Sequence, residues 1–258
     1  MTIATPRQQA IAQQAKDNGF VMIEAAAMQL GVTTQTIRRD IAVLCEQGVL
    51  SRFHGGAAFR SSTANIPYEA RRGSFLREKE LIAATVAAEI GDGSSVFIDI
   101  GTTAEAVARK LREKKGLRVV TNNLNVVSIL ADREDFAITV ACGTVRHRDL
   151  AINGEAAAEF VERFHLDYSI LGVVAITTEG DVLDFSIDEA RLTQAVLGCG
   201  RRAFVVADHS KFGRPAMAKV AHLSQVDTLF TDSLPAGPWS DLREMVRIQV
   251  ADAATIAA

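Results

Sequence analysis

Three isoleucine and leucine residues, Ile37, Ile41 and Leu44, recur at i, i+4 and i+7 between a threonine pair and Gly48. That spacing predicts a bounded amphipathic helix. Thr33 or Thr34 can cap its free backbone N–H groups, and Gly48 suits a left-handed stop, so the helix is expected over 34–47. The apolar stripe turns Thr34, Gln35 and Arg38 to the opposite side, which is polar and cationic. A shorter helix is predicted over 23–30, burying Ile23, Ala26, Ala27 and Leu30 and ending at Gly31-Val32, a turn short enough to let two helices cross steeply. After Gly48 the segment 49–60 alternates apolar and polar residues around Gly55-Gly56, read as a two-residue hairpin turn. Helix, tight turn, helix and hairpin in this order predict a winged helix-turn-helix unit.

Such a unit presents its second helix to a DNA major groove. Arg can grip guanine O6 and N7 with two hydrogen bonds and Gln can do the same for adenine N6 and N7, so Gln35 and Arg38 suit base edges. Thr34, Thr36 and Arg39 lie nearer the rim and suit phosphates. On the wing, Arg52 and His54 are expected to reach the DNA backbone or the minor groove. Charge supports this placement. Residues 1–77 carry nine Lys/Arg against five Asp/Glu, and the remainder nineteen against twenty-six. Attraction to double-stranded DNA is therefore local to the N-terminal part.

The chain of 258 residues, 48% of them apolar, is long enough for two domains. The expected division is a DNA-binding domain over 1–60, a polar linker over 61–77 and a second domain over 78–258. Three scattered cysteines, Cys45, Cys142 and Cys199, form no Cys-x-x-Cys pair. This points away from zinc and disulfides and towards a reducing cytoplasm, and no metal or cofactor is expected. No apolar run is long enough to span a membrane, and the first sixteen residues lack the apolar stretch of a signal peptide, so no membrane partner is expected.

From residue 78 onward, short β-rich runs at 95–100, 117–121, 137–141, 168–173, 203–207 and 228–231 alternate with helical periodicity at 80–90, 104–113, 125–131, 155–164 and 189–197. Residues 247–251 are a candidate edge strand. This alternation predicts an α/β domain with a mostly parallel sheet covered on both faces, whose ligand sits at the carboxyl ends of the strands.

Polar groups gather at those ends. Asp99, Gly101, Thr102 and Thr103 form a strand-to-helix turn whose N–H groups and hydroxyls can hold an anion, although a helix cap alone would also use these residues. Asn122 and Asn123 offer amides to hydroxyls. Arg148, in a basic loop with Arg146 and His147, could clamp a phosphate. Asp208, Ser210 and Lys211 add a carboxylate for a sugar hydroxyl and a cation for the phosphate. Together they suit a small phosphorylated polyol or sugar.

Residues 33–40 (TTQTIRRD) with 52–58 (RFHGGAA), and then 97–108 (FIDIGTTAEAVA), 120–126 (VTNNLNV) and 207–217 (ADHSKFGRPAM), resemble the DeoR family of bacterial transcriptional repressors over about 7–232. The resemblance implies a homo-oligomer, dimer or tetramer, and an effector domain related in fold to ribose-5-phosphate isomerase and CoA transferases. It further implies that a phosphorylated effector, glycerol-3-phosphate or a related sugar phosphate, weakens operator binding. A competing reading is a sugar-phosphate isomerase with an appended DNA-binding domain, resting on Asp99, Asp208, Glu155 and Lys211. An activator is a further possibility, since no residue decides the sign of regulation.

Overall fold

A computed structural model describes residues 5–53, 55–59 and 67–252. The chain divides into two compact units, 1–75 and 76–258. Part of the segment read as an irregular linker is ordered. Tyr68–Arg72 is a short helix, and the long helix Leu76–Glu89 opens the second unit.

In the first unit, helices Pro6–Asn18, Ile23–Leu30 and Thr34–Glu46 enclose a core of Ile11, Ala15, Val21, Ala26, Ile37, Ile41 and Leu44. The first helix was not anticipated. Its mostly polar sequence conceals two fully buried residues, Ile11 and Ala15, and Thr5 and Gln8 form a capping box at its start. Asp40, buried on the third helix, accepts hydrogen bonds from Arg7 Nε at 2.5 Å and Gln8 Nε2 at 3.1 Å, fastening the first helix to the third.

Strands Leu50–Phe53 and Gly56–Phe59 form the wing, and Phe20–Met22 adds a third antiparallel strand against Gly56–Phe59. The hairpin closes one residue earlier than the Gly55-Gly56 pair suggests. Phe53 pairs with Gly56, so Gly56 is the first residue of the return strand and only Gly55, at φ +85°, is a turn glycine. Gly56 is needed for a different reason: a Cβ there would lie 2.3 Å from the carbonyl oxygen of Val21 and 2.8 Å from the Phe53 ring.

The second unit is a seven-stranded sheet in the order Arg247–Val250, Thr228–Thr231, Gly200–Val206, Leu166–Gly172, Ser95–Ile98, Arg118–Thr121, Ala137–Val140, and every neighbouring pair is parallel. All six expected strands and the expected edge strand are present. Alternate side chains along a strand enter opposite cores, which is why these runs read as continuously apolar. Val96 and Ile98 pack with Val107 and Leu111 of helix Thr102–Leu111, whereas Phe97 packs with Val161 of helix Glu155–Val161 and Val196 of helix Ile187–Cys199. Helix Leu124–Leu130 completes the first face.

Two small antiparallel additions were not foreseen. One pairs Ala175–Ile176, Asp181–Asp184 and Ala218–His222; the other is the hairpin Thr144–Arg146 with Ala151–Asn153. Strands of two to five residues carry too little periodicity to be distinguished from loops.

The chain winds outward in one direction from Ser95–Ile98 and in the other from Leu166–Gly172. These two strands, hydrogen-bonded to each other, mark where the order reverses. A crevice opens at such a point. Here it brings Gly101 beside Gly172, where a Cβ would collide with the carbonyl oxygen of Ile100 at 2.3 Å.

Candidate functional site

On the Thr34–Glu46 helix, Gln35, Arg38 and Arg39 are exposed, while Thr34 and Thr36 are half-buried. Thr33 is the capping residue: its hydroxyl accepts from the N–H of Thr36 at 3.2 Å and contacts the Thr36 hydroxyl at 2.9 Å. Thr36 is thus engaged in the cap as well as standing at the rim. Arg52, expected to reach the DNA backbone or the minor groove, is exposed on the wing. Its Nη2 donates to the carbonyl oxygen of Arg38 at 3.2 Å, tying the wing to the helix. His54 lies outside the described residues.

At the reversal point of the sheet, Ile98 and Thr121 are paired, so Asp99 and Asn122 emerge side by side. Both are buried, at 1% and 0% exposure. The Asp99 Oδ1 accepts from the N–H of Ile100 at 2.7 Å. Its Oδ2 and both polar atoms of the Asn122 side chain make no hydrogen bond of good geometry among the described residues, although the Asn122 amide lies near enough to the carboxyl to favour its charged form. Groups left this way cost about 1–3 kcal/mol each, and so they mark a place for polar atoms of a ligand. Burial raises the Asp99 carboxyl to about 7, against the smaller opposing effects of the Ile100 N–H and the adjacent Asn122 amide. A carboxyl poised there can both donate to and accept from a hydroxyl near neutral pH.

Gly101 follows at φ +124°, a conformation that requires glycine, and begins helix Thr102–Leu111. No side chain caps that helix. Thr102 and Thr103 are buried at its first turn instead of closing it, which leaves the N-terminal N–H groups and the helix dipole for an anion. Asn123 does a different job from the one expected. Its Oδ1 caps helix Leu124–Leu130 by accepting from the N–H of Asn125 at 3.0 Å, and its Nδ2 donates to Glu105 at 3.4 Å.

In the basic loop the central residue is Arg146, not Arg148. Arg146 donates to both oxygens of Asp149, at 2.7 and 2.8 Å, and pairs with Glu189. The Arg148 side chain is 55% exposed and reaches Glu189 only at the rim, at 3.4 Å. Asp184 and Glu189 complete an acidic wall that the sequence reading missed. The Asp184 carboxyl is raised to about 6 by burial and by Glu189. A buried acid at the end of the short strand Asp181–Asp184 was the available signal, obscured because that strand itself was not predicted.

Asp208 is 1% exposed and caps the single turn His209–Lys211, accepting from the N–H of Ser210 at 3.0 Å and from its hydroxyl. Ser210, although exposed, holds Asp208 in place through these two hydrogen bonds; Lys211 is half-buried. Burial pushes the Asp208 carboxyl up, but Lys211, the Ser210 hydroxyl and Lys79 together hold it below its usual value. Lys79, only 4% exposed, was not singled out from the sequence because it looks like any lysine on a charged helix face. The loop is braced by the C-terminal segment: Phe212 packs edge-on against Trp239 with ring centroids 5.2 Å apart, and the N–H of Gly213 donates to Ile176. Glu155, invoked for an enzyme, is 65% exposed and paired with Arg191 at 2.8 Å. No helix among the described residues is long and apolar enough to cross a membrane.

Comparison with known proteins agrees with both units. The DeoR-like helix-turn-helix domain matches residues 7–63 and the DeoR C-terminal sensor domain matches residues 74–233. The chain is 45% identical over 231 residues to the glycerol-3-phosphate regulon repressor of Escherichia coli, covering 90% of this chain and 92% of that protein. It is 42% identical to the repressor of the same name from Haemophilus influenzae, covering 92% and 93%, and 41% identical to the HTH-type transcriptional repressor CsqR of Escherichia coli, covering 89% and 88%. Among solved structures, ribose-5-phosphate isomerase A from Neisseria gonorrhoeae aligns over 52% of each chain with a TM-score of 0.38 and 15% identity. With a helix-turn-helix unit and a sensor unit both matched, and with repressors similar along nearly the whole length, the chain belongs to the DeoR family of transcriptional regulators.

Proposed function

We propose that this protein is a homo-oligomeric transcriptional repressor that binds double-stranded operator DNA through Gln35, Arg38 and Arg39. It leaves the operator when a phosphorylated polyol, glycerol-3-phosphate before other esters, fills the sensor. The observation that carries the effector reading is the uncapped helix start at Gly101-Thr102-Thr103 beside the buried, unsatisfied Asp99 and Asn122. The phosphoryl group belongs at the helix N-terminus with Lys211, and the hydroxyl groups belong against Asp99 and Asn122. The similarity to glycerol-3-phosphate regulon repressors favours glycerol-3-phosphate among the esters.

Release requires that the effector bind unequally to the operator-competent and operator-incompetent forms. Filling the crevice orders the Gly101 turn and the Lys211 loop, and the paired recognition helices of the oligomer then miss their half-sites. Catalysis is a poorer reading. Of the carboxylates that reading invokes, Asp208 already accepts from Ser210 and Glu155 is a surface residue, which leaves Asp99 alone with a free oxygen for proton abstraction.

Calorimetric titration of the full chain with glycerol-3-phosphate, glycerol and ribose-5-phosphate tests the reading. Glycerol-3-phosphate is expected to bind and glycerol to bind far more weakly. Equal affinity for glycerol and its phosphate would remove the anion site from the account, and turnover of ribose-5-phosphate abolished by Asp99→Ala would favour the enzyme.

A further inference from the structure

The two outer strands of the parallel sheet differ. Arg247–Val250 opens with a charge, Arg247, ion-paired with Glu89. The other, Ala137–Val140, reads Ala-Ile-Thr-Val and runs on into Ala141 and Cys142, with no charge, proline or register shift. An edge of that kind is the part of a sheet most able to accept another strand, which is why charges, prolines and bulges normally blunt it. The N–H groups of Ala137 and Ala141 donate inward, to the carbonyl oxygens of Leu117 and Thr121. Backbone groups alternate in direction along a strand, so those of Ile138 and Val140 turn outward. Ala137, Thr139 and Val140 are exposed, although parallel sheets normally have both faces covered. Apolar exposure continues past the strand: Val140, Val145 and Leu150 are 36%, 37% and 39% exposed.

We propose that this edge pairs antiparallel with the same strand of a second copy of the chain, across a two-fold axis, so that the sheets of two sensor units run into one another. The inference names the surface that makes the homo-oligomer and rests on that reading. Outward-facing groups recur at every second residue, so the axis falls at a residue and not between two, and substantial overlap of the strands puts it at Ile138, Thr139 or Val140. Charge favours a second copy over a foreign strand. The exposed Glu134 precedes the strand, and the exposed His147 and Arg148 follow it. Antiparallel pairing brings the acidic start of each copy towards the basic end of the other, once on either side of the axis. A stable interface buries about 1,200–2,000 Å², more than so short a strand supplies. Helix Leu124–Leu130, which packs on this strand, adds the half-buried Val127 and Ile129, and Val145 widens the surface further.

The test uses the full-length protein and its Val140→Lys, Val140→Pro and Val250→Lys variants. Analytical ultracentrifugation measures mass in solution, and circular dichroism checks folding. Val140→Pro removes an outward N–H and takes no hydrogen bond from the sheet, a position where an edge strand tolerates proline. Both Val140 variants should halve the mass of the wild-type oligomer, and Val250→Lys, on the opposite edge, should leave it unchanged. In a Cys142→Ser background, at least one of Ile138→Cys, Thr139→Cys and Val140→Cys should form a disulfide-linked dimer under mild oxidation, because a residue at the axis meets its own copy; Cys142→Ser alone should not. Wild-type mass in both Val140 variants would overturn the proposal while leaving the homo-oligomer in place. A mass halved by Val250→Lys instead would move the interface to the other edge and overturn it equally. Should the Val140 variants not fold, the cross-links decide: none at the three positions overturns the proposal. A monomeric wild type would remove the homo-oligomer reading itself, and this inference with it.

Discussion

Asp99 is held where ionisation is unfavourable, and that has a measurable cost. Unfolded, its carboxyl titrates near 3.8; folded, burial raises it to about 7. Below about pH 4 both states keep the proton and the residue is neutral towards stability. As pH rises towards 7 the unfolded chain releases its proton first, so stability falls across this window and the loss is complete above it. Asp99→Asn should therefore stabilise the sensor unit at pH 8, by at most about 4 kcal/mol, and have little effect at pH 4, while effector binding is lost. Melting curves at the two pH values check this; an equal shift at both would mean that the carboxyl is not the source. In the DNA-binding unit, Arg38 is exposed on the helix Thr34–Glu46, flanking the buried stripe of Ile37 and Ile41. Arg38→Ala should cost about 1–3 kcal/mol of operator binding and relax base preference at one position. Equal losses on operator and random DNA would reassign Arg38 to phosphate. Both residues stood out in the sequence because each sits at a signalled place, a strand end and a capped helix. Lys79, Arg146 and Asp184 did not, since their importance comes from partners brought in by the fold: Asp208, Glu189 and the buried acidic wall.

Elements were legible in proportion to their periodicity. The helix Thr34–Glu46 and six of the seven strands of the parallel sheet carry apolar patterns and lie where those patterns put them. Helix Pro6–Asn18 escaped because only Gln8, Ile11 and Ala15 face inward on an otherwise polar element. The wing turn was misplaced by one residue because adjacent glycines look alike in sequence although one is needed for φ and the other for space. Gly56→Ala distinguishes the two. With the Val21 carbonyl oxygen 2.3 Å from the new Cβ, the substitution should cost at least 1–3 kcal/mol and weaken operator binding without touching effector affinity. The C-terminal segment braces the Lys211 loop through Trp239 and Phe212. Trp239→Ala should lower effector affinity and leave effector-free operator binding intact, since the two units have separate cores. Loss of operator binding as well would contradict that separation.

For the whole molecule, the division of labour follows from composition and fold together. The unit that presents the exposed helix face carries a net positive charge, and the net-acidic remainder builds a sheet whose reversal point leaves polar atoms unsatisfied. Neither half explains a regulator alone, because binding DNA and binding an ester amount to regulation only if they are energetically linked. A coupling of 1–3 kcal/mol, roughly a 5- to 150-fold change in operator affinity, is typical of such linkage and is reciprocal. The most direct measurement is operator binding by the full chain at one fixed salt concentration, titrated with glycerol-3-phosphate and, separately, with glycerol and ribose-5-phosphate. The account predicts release by glycerol-3-phosphate at concentrations where glycerol does nothing. Operator affinity unchanged when the sensor is saturated with a bound phosphate ester would contradict it.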